Sequence, residues 1–334
     1  MVKKIKQWLL YARAVALPQS ILPALAAICL AVAQPDFSIL YALLATLGVA
    51  VAHLAFNLLD DYCDFHDNDT FVRRQMIEAG KPARGGKCEY LTSGLVSTKK
   101  LLTIIILLLL IACMIATVIA IKRGAVIFVL MAITAVVAFS YSAKPFQLNA
   151  KGGKELLTGI IFGPLLVSGV YYSACGTFTS NMWIISAIVG FSVLNIAYVH
   201  AVVDAETDKA MHRITIPILL KNRTLIAVFA LIFAFLPVVI TLIGCCTHIL
   251  SWWYILIGLA LPRTIALAYY MLTFGRKENE HISPKKWMGI MQYWSDIQAY
   301  HIEWFMIRWY LARNTMSLYL LLIMIASILT WIIQ

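Results

Sequence analysis

The 334-residue chain is 62% hydrophobic, 13% charged and carries a formal net charge of +11. Soluble domains carry about 25% charged residues, so a water-soluble globule is excluded and the chain is a membrane protein. Its seven cysteines include no Cys-x-x-Cys pair, and no glycine-rich phosphate loop, nucleophile elbow or His-Glu-x-x-His pattern occurs, which excludes the familiar zinc, dithiol and P-loop chemistries.

The opening MVKKIKQWLL imitates a secretory signal with a small-residue site near Ala31 to Ala33. Its apolar core from Val15 exceeds the about 7–15 residues usual for such signals, and Arg13 interrupts the approach. The first apolar stretch is therefore expected to stay as a membrane span. Stretches near 15–33, 38–58, 101–121, 124–142, 156–174, 182–203, 224–243, 250–273 and 315–333 each approach the roughly 20 residues a crossing needs. They predict an all-α polytopic bundle of about nine transmembrane helices around a central cavity, forming one domain over 1–334.

With the N-terminus in the cytoplasm, 24 of the 27 Lys and Arg fall in inner segments; Lys122 and Arg123 lie outside and Arg263 lies within a span. The positive-inside rule therefore predicts a multi-pass protein, such as one of a bacterial inner membrane, whose N-terminus and loops 59–100 and 204–223 are cytoplasmic. The positive charge reads as topology and anionic-lipid contact. Nucleic acid has no support as a partner, and no protein partner is indicated.

Behind the second span comes NLLDDYCDFHDND, with five carboxylates between positions 60 and 69, and behind the sixth comes DAETD, with Asp204, Glu206 and Asp208. Four crossings separate the two, so both face the cytoplasm. On a helix, Asn57, Asp61 and Asp64 share a face, as do Asp204 and Asp208. Like charges stacked this way repel and so favour a bound cation. Hard oxygen ligands without cysteine point to Mg²⁺, which fills its remaining positions with water and phosphate oxygens. Arg73, Arg74, Lys81, Arg84 and Lys87 follow the first patch, and Lys144 stands at the end of the fourth span, supplying cations for a diphosphate. A lipid diphosphate suits the surroundings, with its head at the carboxylates and its tail in the bundle.

Taken in order, NLLDDYCD, RGGKCEYLTSGLVS, YSAKP, GKELLTGIIFGPLLVSGVYY and DAETD, with ARAVALP before them, resemble the UbiA superfamily of intramembrane aromatic prenyltransferases over about the first 225 residues. Within it the chain looks most like 1,4-dihydroxy-2-naphthoate prenyltransferases of menaquinone synthesis. The resemblance implies Mg²⁺-dependent transfer from a polyprenyl diphosphate to an aromatic acceptor, with Asn57, Asp61, Asp64, Asp204 and Asp208 as the metal-binding and catalytic set. It also carries over Arg13 as a substrate-binding residue, beside Arg73, Arg74, Arg84 and Lys144. Where the family commonly has Asn-Asn-x-Arg, this chain has HAVV at 200–203, and His200 stands in the acceptor-contacting place. Tyr62, Tyr141, Tyr171 and Tyr198 are candidates to stabilise an allylic cation through their ring faces.

The segment 276–313, rich in Trp, Tyr, Lys and Arg, reads as an amphipathic helix on the cytoplasmic surface. Acceptors other than dihydroxynaphthoate, namely 4-hydroxybenzoate, homogentisate or a lipid, remain open. From another class, a divalent-cation transporter would place ionisable groups at mid-membrane depth, whereas these acids stand at one face. A phosphatidyl-group transferase would open on Asp-Gly-x-x-Ala-Arg, which is missing.

Overall fold

A bilayer offers no partner to bare peptide groups, so an apolar chain crosses it as helices that satisfy their own backbone. The computed structural model describes residues 2–67, 71, 75, 88–274, 282–299 and 301–333, and no β-strand occurs among them. Eight helices are long and apolar enough to cross: α1 Ala14–Ala31, α2 Ile39–His66, α3 Thr98–Arg123, α5 Lys154–Cys175, α6 Ser180–Val203, α7 Arg223–Cys246, α8 Trp252–Leu272 and α9 Glu303–Ile333. The shorter apolar helix α4, Val126–Ser142, occupies the fourth expected crossing. The protein is an integral, multi-pass membrane protein.

Side chains close the exposed helix starts: Ser97 Oγ accepts from the Lys100 amide at the head of α3, and Asn222 Oδ1 accepts from Thr224 and Leu225 at the head of α7. Each saves a donor that the helix itself leaves unpaired. At the opposite end of α3, the Arg123 guanidinium donates to Ser173 O at 2.9 Å and Asp36 O at 2.8 Å. It thereby staples the ends of α3 and α5 to the α1–α2 connection.

Neighbouring spans pack in sequence, and α1 also lies against α9, which closes the ring. Helix α6 sits innermost: 72% of its most apolar window is buried, against 17% in lipid-facing α3. It meets α5 at a π-helical turn, Ile161–Leu165, that contains Pro164. A Cβ on Gly163 would lie 2.5 Å from Gly190 Cα and 2.6 Å from Ser186 O. Without a hydrophobic drive between helices in lipid, such small-residue contact is what lets two backbones approach.

The segment between α8 and α9 corrects the expectation of a surface helix over 276–313. Residues 303–313 already belong to α9. The described part before it holds only a 3-10 turn, Lys286–Met288, and a short helix, Trp294–Ala299. This segment docks on Arg263 and Asn314. Arg263 lies nine residues before the end of α8 and Asn314 eleven after the start of α9, about 14 and 16 Å along the axes. Irregular backbone at that depth requires partners from protein, and four side chains supply them. Arg263 Nε donates to Trp287 O, Asn314 Nδ2 to Met288 O and Ile290 O, Arg313 to Ile290 O, and the Tyr310 hydroxyl to Gln292 O. Gly289 sits at φ +97°, and a Cβ there would press to 2.7 Å from Asn314 Nδ2.

Removing donors from buried carbonyls costs roughly 1–3 kcal/mol each. Asn314→Leu, which withdraws the donor from Met288 O and one from Ile290 O, is expected to lower the thermal midpoint in detergent by several degrees. It should also speed protease cleavage between α8 and α9. An unchanged midpoint and cleavage rate would show that the segment is held by other means.

Candidate active site

The ends of α1, α2, α4, α5 and α6 meet at the face where both acidic patches lie. At the first, Arg13 takes a left-handed conformation, φ 53°, that turns the chain from the helix Val2–Tyr11 into α1. Its guanidinium reaches Asn57 O at 2.8 Å, Asp60 at 3.3 Å and Asp61 at 3.1 Å. Asn57 Nδ2 returns a bond to Ala12 O at 2.9 Å, leaving its Oδ1 without a protein partner among the described residues. Asp61, 2% exposed, also accepts from the Tyr90 hydroxyl at 3.0 Å. Burial, reinforced by Asp61, pushes the Tyr90 phenol well above its usual range, so it remains a proton donor.

Asp60 accepts from Ser142 at 2.9 Å and Asn149 at 3.3 Å. It thus ties α2 to the end of α4 and to the loop after it. Asp64 pairs with Arg213 at 2.8 Å, both side chains being under one-tenth exposed. The Arg213 amide donates to Asp208 O at 2.8 Å. One residue therefore joins the two patches, as the four-crossing argument requires. At the second patch α6 ends at Asp204, whose carboxylate lies 3.2 Å from His200 Nδ1. Asp208 is 1% exposed, and neither of its carboxylate oxygens has a hydrogen-bond donor among the described residues; Lys154 Nζ stands 3.9 Å away.

Two hollows adjoin these groups. The larger, of about 1160 Å³, runs between α1, α2, α3, α4, α5, α6, α8 and α9; Arg13, Asn57, Asp60, Ser142, Lys154 and His200 gather at one end, Arg263 and Arg313 line it on α8 and α9, and its walls are otherwise mostly apolar. The smaller, of about 180 Å³, is lined by Asp64, Asp67, Lys144, Gln147, Asn149 and Arg213 among others. Lys144 lies here, 2.7 Å from Asp67, whose hydrogen bond and charge push the ammonium upward.

Arg73, Arg74, Arg84, Lys81, Lys87 and Asp69 lie outside the described residues. Among the tyrosines only Tyr141 lines the large hollow. Tyr171 is fully buried and bonds Thr179 at the opposite end of the bundle; Tyr198 is likewise buried, donates to Ile226 O and packs on Phe233. Tyr62 stacks on His66 at 4.3 Å. These three are packing residues, because each ring is already occupied by its neighbours.

A metal ion fits the donors in one respect and not in another. No group of three or more His, Cys, Asp or Glu converges on one point among the described residues, and Arg13, Arg213 and Lys144 each pair with an acid. Mg²⁺, however, is commonly held by one or two carboxylates with phosphate oxygens and water completing its shell. The buried Asp208 carboxylate, lacking donors, suits that mode.

This architecture is a polytopic helical bundle enclosing a mostly apolar cavity with polar and charged groups gathered at one end. The UbiA prenyltransferase family matches residues 20–295, and the chain belongs to that family. It is similar to the 2-carboxy-1,4-naphthoquinone phytyltransferase of Synechocystis sp., 27% identical over 161 residues, which are 48% of this chain and 52% of that one. The chain thus spans about half the length of this curated relative. Among solved structures it is similar to a digeranylgeranylglyceryl phosphate synthase, at a TM-score of 0.62 and 17% identity over 98% of this chain and 99% of that one. It is also similar to a UbiA homolog from Archaeoglobus fulgidus bound to GPP and Mg²⁺, at a TM-score of 0.60 and 16% identity over 93% and 98%. The structural likenesses support the fold.

Proposed function

We propose that the protein transfers a prenyl chain from a polyprenyl diphosphate to an aromatic acceptor, with 1,4-dihydroxy-2-naphthoate as the first choice. The observation that carries this reading is the large hollow itself, mostly apolar along its walls, with Arg13, Asp60 and Lys154 gathered at one end and Arg263 and Arg313 on α8 and α9. Such a shape suits an amphiphile with an anionic head. The acceptor choice is supported by the naphthoquinone in the name of the Synechocystis relative and by the ordered motifs. The charged end is assigned to the cytoplasmic face from the distribution of Lys and Arg.

Asp61, Asp64, Asp204 and Asp208, with Asn57, would hold Mg²⁺, which when bound supplies Lewis-acid neutralisation of charge on a departing diphosphate. Arg13 and Lys154 line the large hollow and bind phosphate oxygens. The C1–O bond breaks with its electron pair going to diphosphate, and a ring carbon of the acceptor bonds to C1 and then sheds its proton, or its carboxylate as CO2. Apolar walls keep water from the allylic cation, and Tyr141 is the tyrosine placed to face it.

The test offers purified protein, Mg²⁺ and labelled prenyl diphosphates of several lengths to dihydroxynaphthoate, 4-hydroxybenzoate and homogentisate in turn. A prenylated naphthalene product is expected, and no labelled product from any acceptor would overturn the reading. Lys154→Met is expected to raise KM for the diphosphate about tenfold with acceptor KM unchanged, and to exceed the effect of Lys144→Ala. The reverse order would move the head group to the smaller hollow.

A further inference from the structure

One turn deeper than Asn57 on α2, a histidine stands in an otherwise apolar stretch. His53, Asn57 and Asp60 fall at i, i+4 and i+7, and all three line the large hollow. A rise of 1.5 Å per residue places His53 about 6 Å from Asn57 along the axis, on the side toward the membrane interior. A prenyl chain with its head at the carboxylates and its tail in the hollow would run past this depth.

The imidazole is fixed on two sides. Its Nδ1 is hydrogen-bonded to Ser20 Oγ of α1, and its ring meets Phe162 of α5 edge to face at 5.6 Å. Ser20 is itself 1% exposed. Nε2 has no protein partner among the described residues. Around the ring, α1 presents Ser20, with Arg13 just before its start, and α5 presents Phe162; Arg13 lines the same hollow. Among the described residues no carboxylate bonds the imidazole to hold it as a permanent cation. A half-buried polar ring in an otherwise apolar span is costly unless its nitrogens find partners, and the Ser20 bond uses only one of them.

We propose that His53 is the base for the acceptor, a role that rests on the prenyl-transfer reading. With Nδ1–H donated to Ser20, the Nε2 lone pair faces the hollow and takes the acceptor hydroxyl proton as the ring attacks. The O–H electron pair feeds into the ring, the ring carbon bonds to C1, and the C1–O pair leaves with diphosphate. Where the attacked carbon then loses CO2, the oxygen regains its proton from the imidazolium. Where it loses a proton, that proton leaves with diphosphate, and the oxygen again takes its own proton back from the imidazolium. Removing the proton as the bond forms avoids a cationic ring intermediate in an apolar cavity, a role worth about 10²–10⁴-fold in rate for a positioned base.

The test compares the unsubstituted chain with His53→Ala and His53→Gln, in detergent with Mg²⁺, over a pH series. Binding of a non-reacting prenyl thiodiphosphate is measured first, and unchanged affinity shows that the fold and the head-group site persist. Acceptor turnover is expected to fall at least 100-fold in both variants. The rising acid limb of kcat/KM for acceptor should vanish, and added imidazole should partly restore turnover to His53→Ala but not to His53→Gln. Ser20→Ala should lower kcat by a smaller factor and keep the limb. Full turnover by His53→Gln, or a limb that survives in it, overturns the assignment. Absence of transfer by the unsubstituted chain to every acceptor overturns the prenyl-transfer reading instead.

Discussion

Asp208→Asn is expected to abolish prenyl transfer, by 10³-fold or more on the order of losing an electrostatic contact to the departing group, while leaving the protein folded. The carboxylate is buried and neither oxygen has a hydrogen-bond donor among the described residues, so its charge is held in place without serving the local backbone. An amide keeps the shape and loses the charge. Asp61→Asn, Asp64→Asn and Asp204→Asn should follow the same direction, because the metal-site reading assigns all four. Turnover assays at ordinary and raised Mg²⁺, with thermal unfolding as the control, check this. Full turnover by any two of the four at ordinary Mg²⁺ would contradict the two-patch site.

The second large effect is expected at Arg213. Its side chain holds Asp64 at 2.8 Å, and its amide holds Asp208 O, so it couples the patches mechanically as well as electrically. Truncating one partner of a buried ion pair costs about 3–5 kcal/mol. Arg213→Met should lower the thermal midpoint and also reduce transfer. Asp64→Asn added to Arg213→Met should cost less stability than the two single changes summed, because the pair is lost once. A double-mutant cycle reads this coupling directly. Strict additivity would mean that the contact carries no stability.

Much of this was legible in the sequence because the bilayer is so restrictive a solvent. Nine apolar stretches had to be helices, and the two acidic clusters, which hold eight of the sixteen acids, had to share a face. Arg213 was not legible: in a chain with a surplus of cytoplasmic cations, one more Arg after a span looks like topology. His53 was hidden for the opposite reason, as a lone imidazole in an apolar run that periodicity reads as packing. Its spacing from Asn57 was the available signal. The segment before α9 misled through composition, since Trp, Tyr and Arg mark both an interfacial helix and the buried partners of an irregular one. Only Arg263, a cation inside a span, hinted that carbonyls came down to meet it. Tyr171 and Tyr198 failed as site residues because a tyrosine near a helix end is as readily a packing ring with a hydroxyl to satisfy.

The most direct test is calorimetric binding of a non-reacting prenyl thiodiphosphate to the purified chain, with Mg²⁺ and then with EDTA. Tight binding with Mg²⁺, lost in EDTA and lost in Asp208→Asn, is the predicted result. Equal affinity in EDTA and in Asp208→Asn would contradict a site in which the two acidic patches hold a metal against a diphosphate.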